Sequence, residues 1–115
     1  MPSAVRITYD PEGDILFITF GTPTPSTGYQ VAEHLVLRVH PDSRQATSLT
    51  ILNYSAHARS RSPIPLTGLE QGQKTADLFA VLTSAPVNRF LRITEDVTGP
   101  QAFLLQPALD EAVAA

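Results

Sequence analysis

The sequence predicts an α+β fold: an antiparallel sheet of about six strands, laid out as a β-hairpin and meander, with one helix packed on it near residues 74–84. Three observations lead there. The run Ile15-Leu16-Phe17-Ile18-Thr19-Phe20 has five apolar residues in six, most of them β-branched or aromatic. Such a run suits a pleated, buried surface and is too short for a buried helix. Apolar alternation with period two recurs on both sides of it, and the stretch from Lys74 to Ser84 carries helical spacing instead.

The first strand is expected from Ala4 to Tyr9, with Val5, Ile7 and Tyr9 on one face and Arg6 and Thr8 on the other. Asp10-Pro11-Glu12-Gly13-Asp14 is turn chemistry, because proline presets φ and glycine supplies positive φ without steric cost. Ile15 to Phe20 then completes a hairpin. Leu16, Ile18 and Phe20 point one way and Ile15 and Phe17 the other, so this strand is expected to be central and covered on both faces.

Gly21 to Gly28 reads as a loop, and a short strand is expected at Tyr29 to Ala32. From Glu33 to His40, Leu35, Leu37 and Val39 alternate with His34, Val36, Arg38 and His40. A turn at Pro41 to Arg44 leads to a strand over Ala46 to Tyr54. Ser55 to Pro65 is polar and reads as an irregular boundary. In the following helix Thr75 is placed to cap, Leu78, Val81 and Leu82 form the apolar stripe, and Pro86 ends it. Asn88 to Glu95 and Gln101 to Gln106 suggest a second hairpin, and Ala108 to Ala115 a short helix or a disordered tail. Arg6-Ile7-Thr8, Asp10, Gly13, Phe17 and Ile18 recur at a constant spacing as Arg92-Ile93-Thr94, Asp96, Gly99, Phe103 and Leu104, which reads as shared hairpin chemistry or an internal repeat.

Composition narrows the function classes. At 115 residues the chain is expected to form one domain. A net charge of −3 argues against a general nucleic-acid or anionic-membrane binder, and no apolar run is long enough to span a bilayer. Cysteine is absent, which excludes disulfides, thiol nucleophiles and thiolate metal sites. The N-terminus lacks the pattern of a signal peptide, so a cytoplasmic protein is expected.

The pattern Tyr9-Asp10, Asp14, Leu16-Phe17-Ile18 and Phe20 resembles a family of small bacterial proteins whose label is a domain of unknown function. Its signature is a Tyr-Asp pair followed, four residues after that Asp, by a second Asp and an apolar strand. Val31, Leu35-Val36-Leu37, Asp42 and Ile51-Leu52-Asn53-Tyr54-Ser55 are similar to the same family's later strands, so the resemblance covers about residues 6–55. It implies a small antiparallel β module and no particular activity. This chain departs from the family at His40-Pro41, where an acid is usual.

Several polar groups are candidates for chemistry. Asp10, Glu12 and Asp14 offer oxygen ligands for a hard cation, but they lack the spacing of a calcium loop and read better as turn caps. His34, Arg38 and His40 share one strand face, the two histidines about 20 Å apart and too far to ligate one metal. Arg38, a histidine and Arg44 could instead meet an anion. His57, Arg59 and Arg61, with Ser60 and Ser62, form a small basic cluster that reads as a solvated loop. Tyr9, Tyr29 and Tyr54 are expected to be half-buried with wet hydroxyls. No catalytic residue, cofactor site or metal site is expected. The sequence therefore favours a small non-catalytic binding or assembly module, a homodimer with room for a protein partner and no nucleic acid or membrane. The alternative is a ligand-binding protein or enzyme whose pocket draws on Asp10, Asp14, His34, Arg38, His40 and Arg44.

Overall fold

The computed structural model of the protein describes residues 5–21, 25–60, 63–70, 75–97 and 99–105, the side chains of 70, 75 and 76 excepted. Lys74, the Thr75 cap, Arg61 and Ser62 of the basic cluster, Gln106 and the tail from Ala108 lie outside the described residues.

The fold is α+β with antiparallel sheets. Strands β1 (Val5–Asp10), β2 (Ile15–Phe20), β3 (Thr27–Ala32), β4 (Leu35–Val39) and β5 (Ala46–Leu52) form a five-stranded sheet. Helix α1 (Tyr54–Ser60) follows, then the short strand β6 (Ile64–Pro65), a 3-10 turn at Thr67–Glu70 and helix α2 (Thr75–Leu82). A second 3-10 turn at Val87–Arg89 leads into β7 (Leu91–Asp96) and β8 (Gly99–Leu104). These last two make a three-stranded sheet with β6 in the order β6-β8-β7.

The larger sheet is not a simple meander. Its order is β1-β2-β5-β4-β3, so β2 pairs with both β1 and β5, and the chain crosses to the far edge before returning through β4. That placement agrees with a central role for Ile15–Phe20. One face of β2 behaves as expected: Leu16, Ile18 and Phe20 are buried, each contributing about 1.5–3 kcal/mol. They join Leu35, Leu37, Val39, Leu49 and Ile51 from β4 and β5. The C-terminal half supplies the opposing layer through Leu66, Leu69, Leu82, Val87, Phe90 and Leu91. Phe20 and Phe90 meet across it with ring centroids 6.1 Å apart. Val5, Ile7 and Tyr9 pack on the margin of this core.

The second face of β2 departs from expectation. Phe17 is 40% exposed, and Ile15, half-buried, is likewise outside the core. Helix α2 and the small sheet pack on the side of Leu16 and Ile18, where Leu82, Ile64, Leu91 and Ala102 join the core.

Three local readings are corrected. The segment after Asn53 is helix rather than irregular chain, and Tyr54 opens that helix instead of ending a strand. Positive φ at the first turn belongs to Asp14 (55°), not to Gly13; a short polar side chain that hydrogen-bonds locally tolerates this conformation. Residues 88–90 form a 3-10 turn and its end, so the seventh strand starts at Leu91. The two echoing hairpins lie in different sheets and differ in register: Arg6 pairs with Thr19, whereas Arg92 pairs with Phe103, the counterpart of Phe17. The echo is therefore not a geometric repeat.

Candidate functional site

The polar residues of the hairpin signature converge at one end of the five-stranded sheet. Asp14 sits in the turn before β2, and its partners come from the start of α1, forty-one residues away. The Ser55 hydroxyl donates to Asp14 Oδ2 at 2.6 Å, and the Ser55 amide reaches both carboxylate oxygens at 3.0 and 3.2 Å. The Tyr9 hydroxyl donates to Oδ1 at 2.6 Å. The Tyr54 amide donates to the Asp14 carbonyl at 3.0 Å.

This is a helix cap supplied from another element. Asn53, also at positive φ, accepts the first helical bond from the His57 amide through its carbonyl. The next two amides, of Tyr54 and Ser55, would otherwise be unpaired, and Asp14 takes both. Its negative charge also suits the positive end of the short helix. Ser55, ahead of Tyr9, holds the Asp14 carboxyl below the usual carboxylate range by hydrogen-bonding its charged form. The hydrogen bond that Tyr9 itself gives to Asp14 pushes the Tyr9 phenol up. Tyr54 packs edge-on against Tyr9 with centroids 5.8 Å apart. Its hydroxyl is buried, so the expected wet position does not hold for this tyrosine.

A histidine pair lies beside the cap. His34, just before β4, approaches His57 of α1 with Nδ1 and Nε2 3.0 Å apart. Asn53 Nδ2 donates to His34 Nε2 at 3.2 Å. With the Asn53 amide turned this way, His34 Nε2 accepts, which matches a proton on its Nδ1 shared with His57 Nε2. Burial first, and His34 second, push the His57 imidazole down. The ring centroids are 5.1 Å apart, close to the separation of two rings joined nearly in line through a hydrogen bond.

The remaining candidates are elsewhere. Asp10 Oδ1 accepts from the Glu12 amide, as a turn cap would. Arg38, near the end of β4 and beside the edge strand β3, is held by the Ser26 hydroxyl and carbonyl. At the other end of β4, His40 Nδ1 accepts from the amides of Asp42 and Ser43. His40 and Arg44 line a depression of about 70 Å³ with Thr27 and Tyr29. Arg44 also borders an open groove of about 540 Å³ against α2, where it meets Asp77 at 3.5 Å with both groups exposed. The six candidate contacts thus fall at opposite ends of the sheet and do not share one pocket. Among the described residues, no group of three or more His, Cys, Asp or Glu is arranged to hold a metal ion. No helix among them is long and apolar enough to cross a membrane.

Sequence reasoning passed over the roles of Ser55, Asn53 and His57. A signal was present: Asn before Tyr-Ser is a helix-start pattern, yet the polar run after it masked the helix.

The opposite surface is of a different kind. On the face of the sheet turned away from the core, Ile15, Phe17, Val36 and Leu52 are all half-buried or exposed and none belongs to the core. Thr8, Thr19, Ser48 and Thr50 stand among them, and Arg6, Arg38 and Asp10 lie at the margins. No family model matches the chain, and no curated protein or solved structure matches it.

Proposed function

We propose that the chain is a non-catalytic binding module that holds a protein partner against the open face of its five-stranded sheet. The observation that carries this reading is Phe17: a large aromatic side chain at the centre of a sheet face, 40% exposed, with Ile15, Val36 and Leu52 around it. An aromatic anchor set among apolar and threonine side chains with charges at the edge has the composition of an interface core and rim.

The state of the polar residues supports the same reading. Asp14, Ser55 and Tyr9 spend their hydrogen-bonding capacity on one another and on the start of α1. His40 is occupied by its own turn. The hairpin signature accordingly serves as a clamp between hairpin and helix, which leaves the open sheet face around Phe17 for recognition.

The test is a photo-activated cross-linker placed at position 17 in the full chain, compared with one at Val97, which is fully exposed at a hairpin tip. A protein adduct formed from position 17 and not from position 97 is expected. Absence of any adduct at 17, or equal labelling at both, would remove the reading.

A further inference from the structure

We propose that the occupant of the open face is the same face of a second copy, packed across a two-fold axis that runs along the row Thr8–Phe17–Thr50–Val36. This inference rests on the open face being a docking surface and names what docks there.

The strand register arranges the face in three cross-strand rows. The first is Arg6–Thr19–Ser48–Arg38, the middle one Thr8–Phe17–Thr50–Val36, and the third Asp10–Ile15–Leu52. The first row carries two arginines, and the third ends in a carboxylate. Among the described residues Arg6 makes no ion pair. Asp10 uses Oδ1 for the Glu12 amide, so its other oxygen is open to a cation.

These rows discriminate between ways of stacking two copies. An axis along the strands would lay the basic row of one copy on the basic row of the other, which repulsion opposes. An axis along the middle row leaves each strand facing its own counterpart and exchanges the outer rows. Arg6 of each copy then faces Asp10 of the other, giving the same pair twice, as an isologous interface requires. Phe17 meets its counterpart at the axis, so the two largest exposed side chains of the face are paired at the centre of the interface. The result is an aligned sandwich with sheets ~10 Å apart and strands crossed by about 30°.

The area is sufficient for a specific but concentration-dependent dimer. Five strands at ~4.8 Å and six residues at ~3.3 Å give about 480 Å² per copy in projection. The two faces together give about 960 Å², below the ~1,200 Å² of standard interfaces and in the range of weak, concentration-dependent ones.

Sedimentation of the full chain from about 1 to about 100 µM should show monomer passing into dimer. Phe17→Glu should weaken that dimer about tenfold or more while leaving the far-UV circular dichroism unchanged. The sharper test mixes two variants. Arg6→Asp alone and Asp10→Arg alone each place like charges opposite one another and should dimerise poorly. Mixed together they restore both pairs and should form the heterodimer. A wild-type monomer throughout the range, a dimer indifferent to Phe17→Glu, or a mixture no better than its components would each overturn the proposal. The cross-linker at position 17 separates the two levels. A covalent dimer of this chain supports both; an adduct with a different protein keeps the docking surface and removes the second copy; no adduct removes both.

Discussion

The Ser55 hydroxyl donates to Asp14 Oδ2 at 2.6 Å, joining the turn before β2 to the first turn of α1. The bond closes a triangle with Tyr9, whose hydroxyl takes the other carboxylate oxygen. Two strands and a helix are tied at one carboxylate, and the tie lies outside the apolar core. Its worth is that of a charged acceptor satisfying donors that the helix cannot satisfy itself.

Substitutions at the triangle should therefore cost stability in a graded way. Ser55→Ala removes the hydroxyl and keeps the amide bond, an expected loss of about 1 kcal/mol. Asp14→Asn keeps a side chain that tolerates positive φ but turns hydrogen bonds to a charged acceptor into bonds to a neutral one, an expected loss of about 1–2 kcal/mol. Asp14→Ala should cost more than either, since it removes the cap and leaves a Cβ residue at φ 55°. Urea unfolding of the three variants checks the order, and equal midpoints for Asp14→Asn and wild type would contradict it.

The pH dependence of stability should fall in two stages on the acid side. His57 is pushed below its usual range, so the unfolded chain binds its proton first. The stability this contributes is complete above ~6.5 and is lost as pH falls through the folded value. Asp14 is likewise depressed, and its contribution is complete above ~3.9 and lost as pH falls through its own folded value. On the alkaline side Tyr9 is raised, so its contribution is complete below ~10 and lost as pH rises through the folded value. Melting temperature measured against pH should lose its upper acid stage in His57→Gln and its lower stage in Asp14→Asn. Superimposable profiles would refute the assignment.

Gly68 should be intolerant of any side chain. A Cβ there would lie 2.1 Å from the Gln30 carbonyl oxygen and 2.9 Å from the Val31 carbonyl carbon, both backbone atoms of β3. Gly68→Ala must push the 3-10 turn off the edge of the sheet, at a cost expected in the upper part of ~1–3 kcal/mol. Gly21→Ala is the control: φ is +76° there, but nothing lies within 4 Å, so only backbone strain of about 1 kcal/mol is expected. A smaller loss of melting temperature at Gly68 than at Gly21 would count against the close packing.

The fold class was legible because each strand carries its own period. Leu16, Ile18 and Phe20, then Leu35, Leu37 and Val39, then Leu49 and Ile51 alternate with outward residues, and all are buried on one side of the sheet. Side-chain alternation is a local property, so local sequence was enough to state it. The turn chemistry of Asp10 was legible for the same reason. Helix α1 was not, since seven mostly polar residues have no apolar stripe strong enough to signal a helix. It is held by Asp14 from outside, by a residue with no sequence proximity to it. The meeting of His34 with His57 depends in the same way on β5 delivering the chain back beside β4.

Local pattern alone was enough to state which residues alternate along each strand and where the chain turns between antiparallel neighbours. The strand order that sets β2 against β5, the division into two sheets and the side on which the C-terminal half packs depend on contacts between residues far apart in the chain. That last choice buries Leu16 and leaves Phe17 outward. Both faces of β2 are apolar, so nothing local distinguishes them; the asymmetry appears only when one face meets Phe90, Leu69 and Leu82 and the other does not.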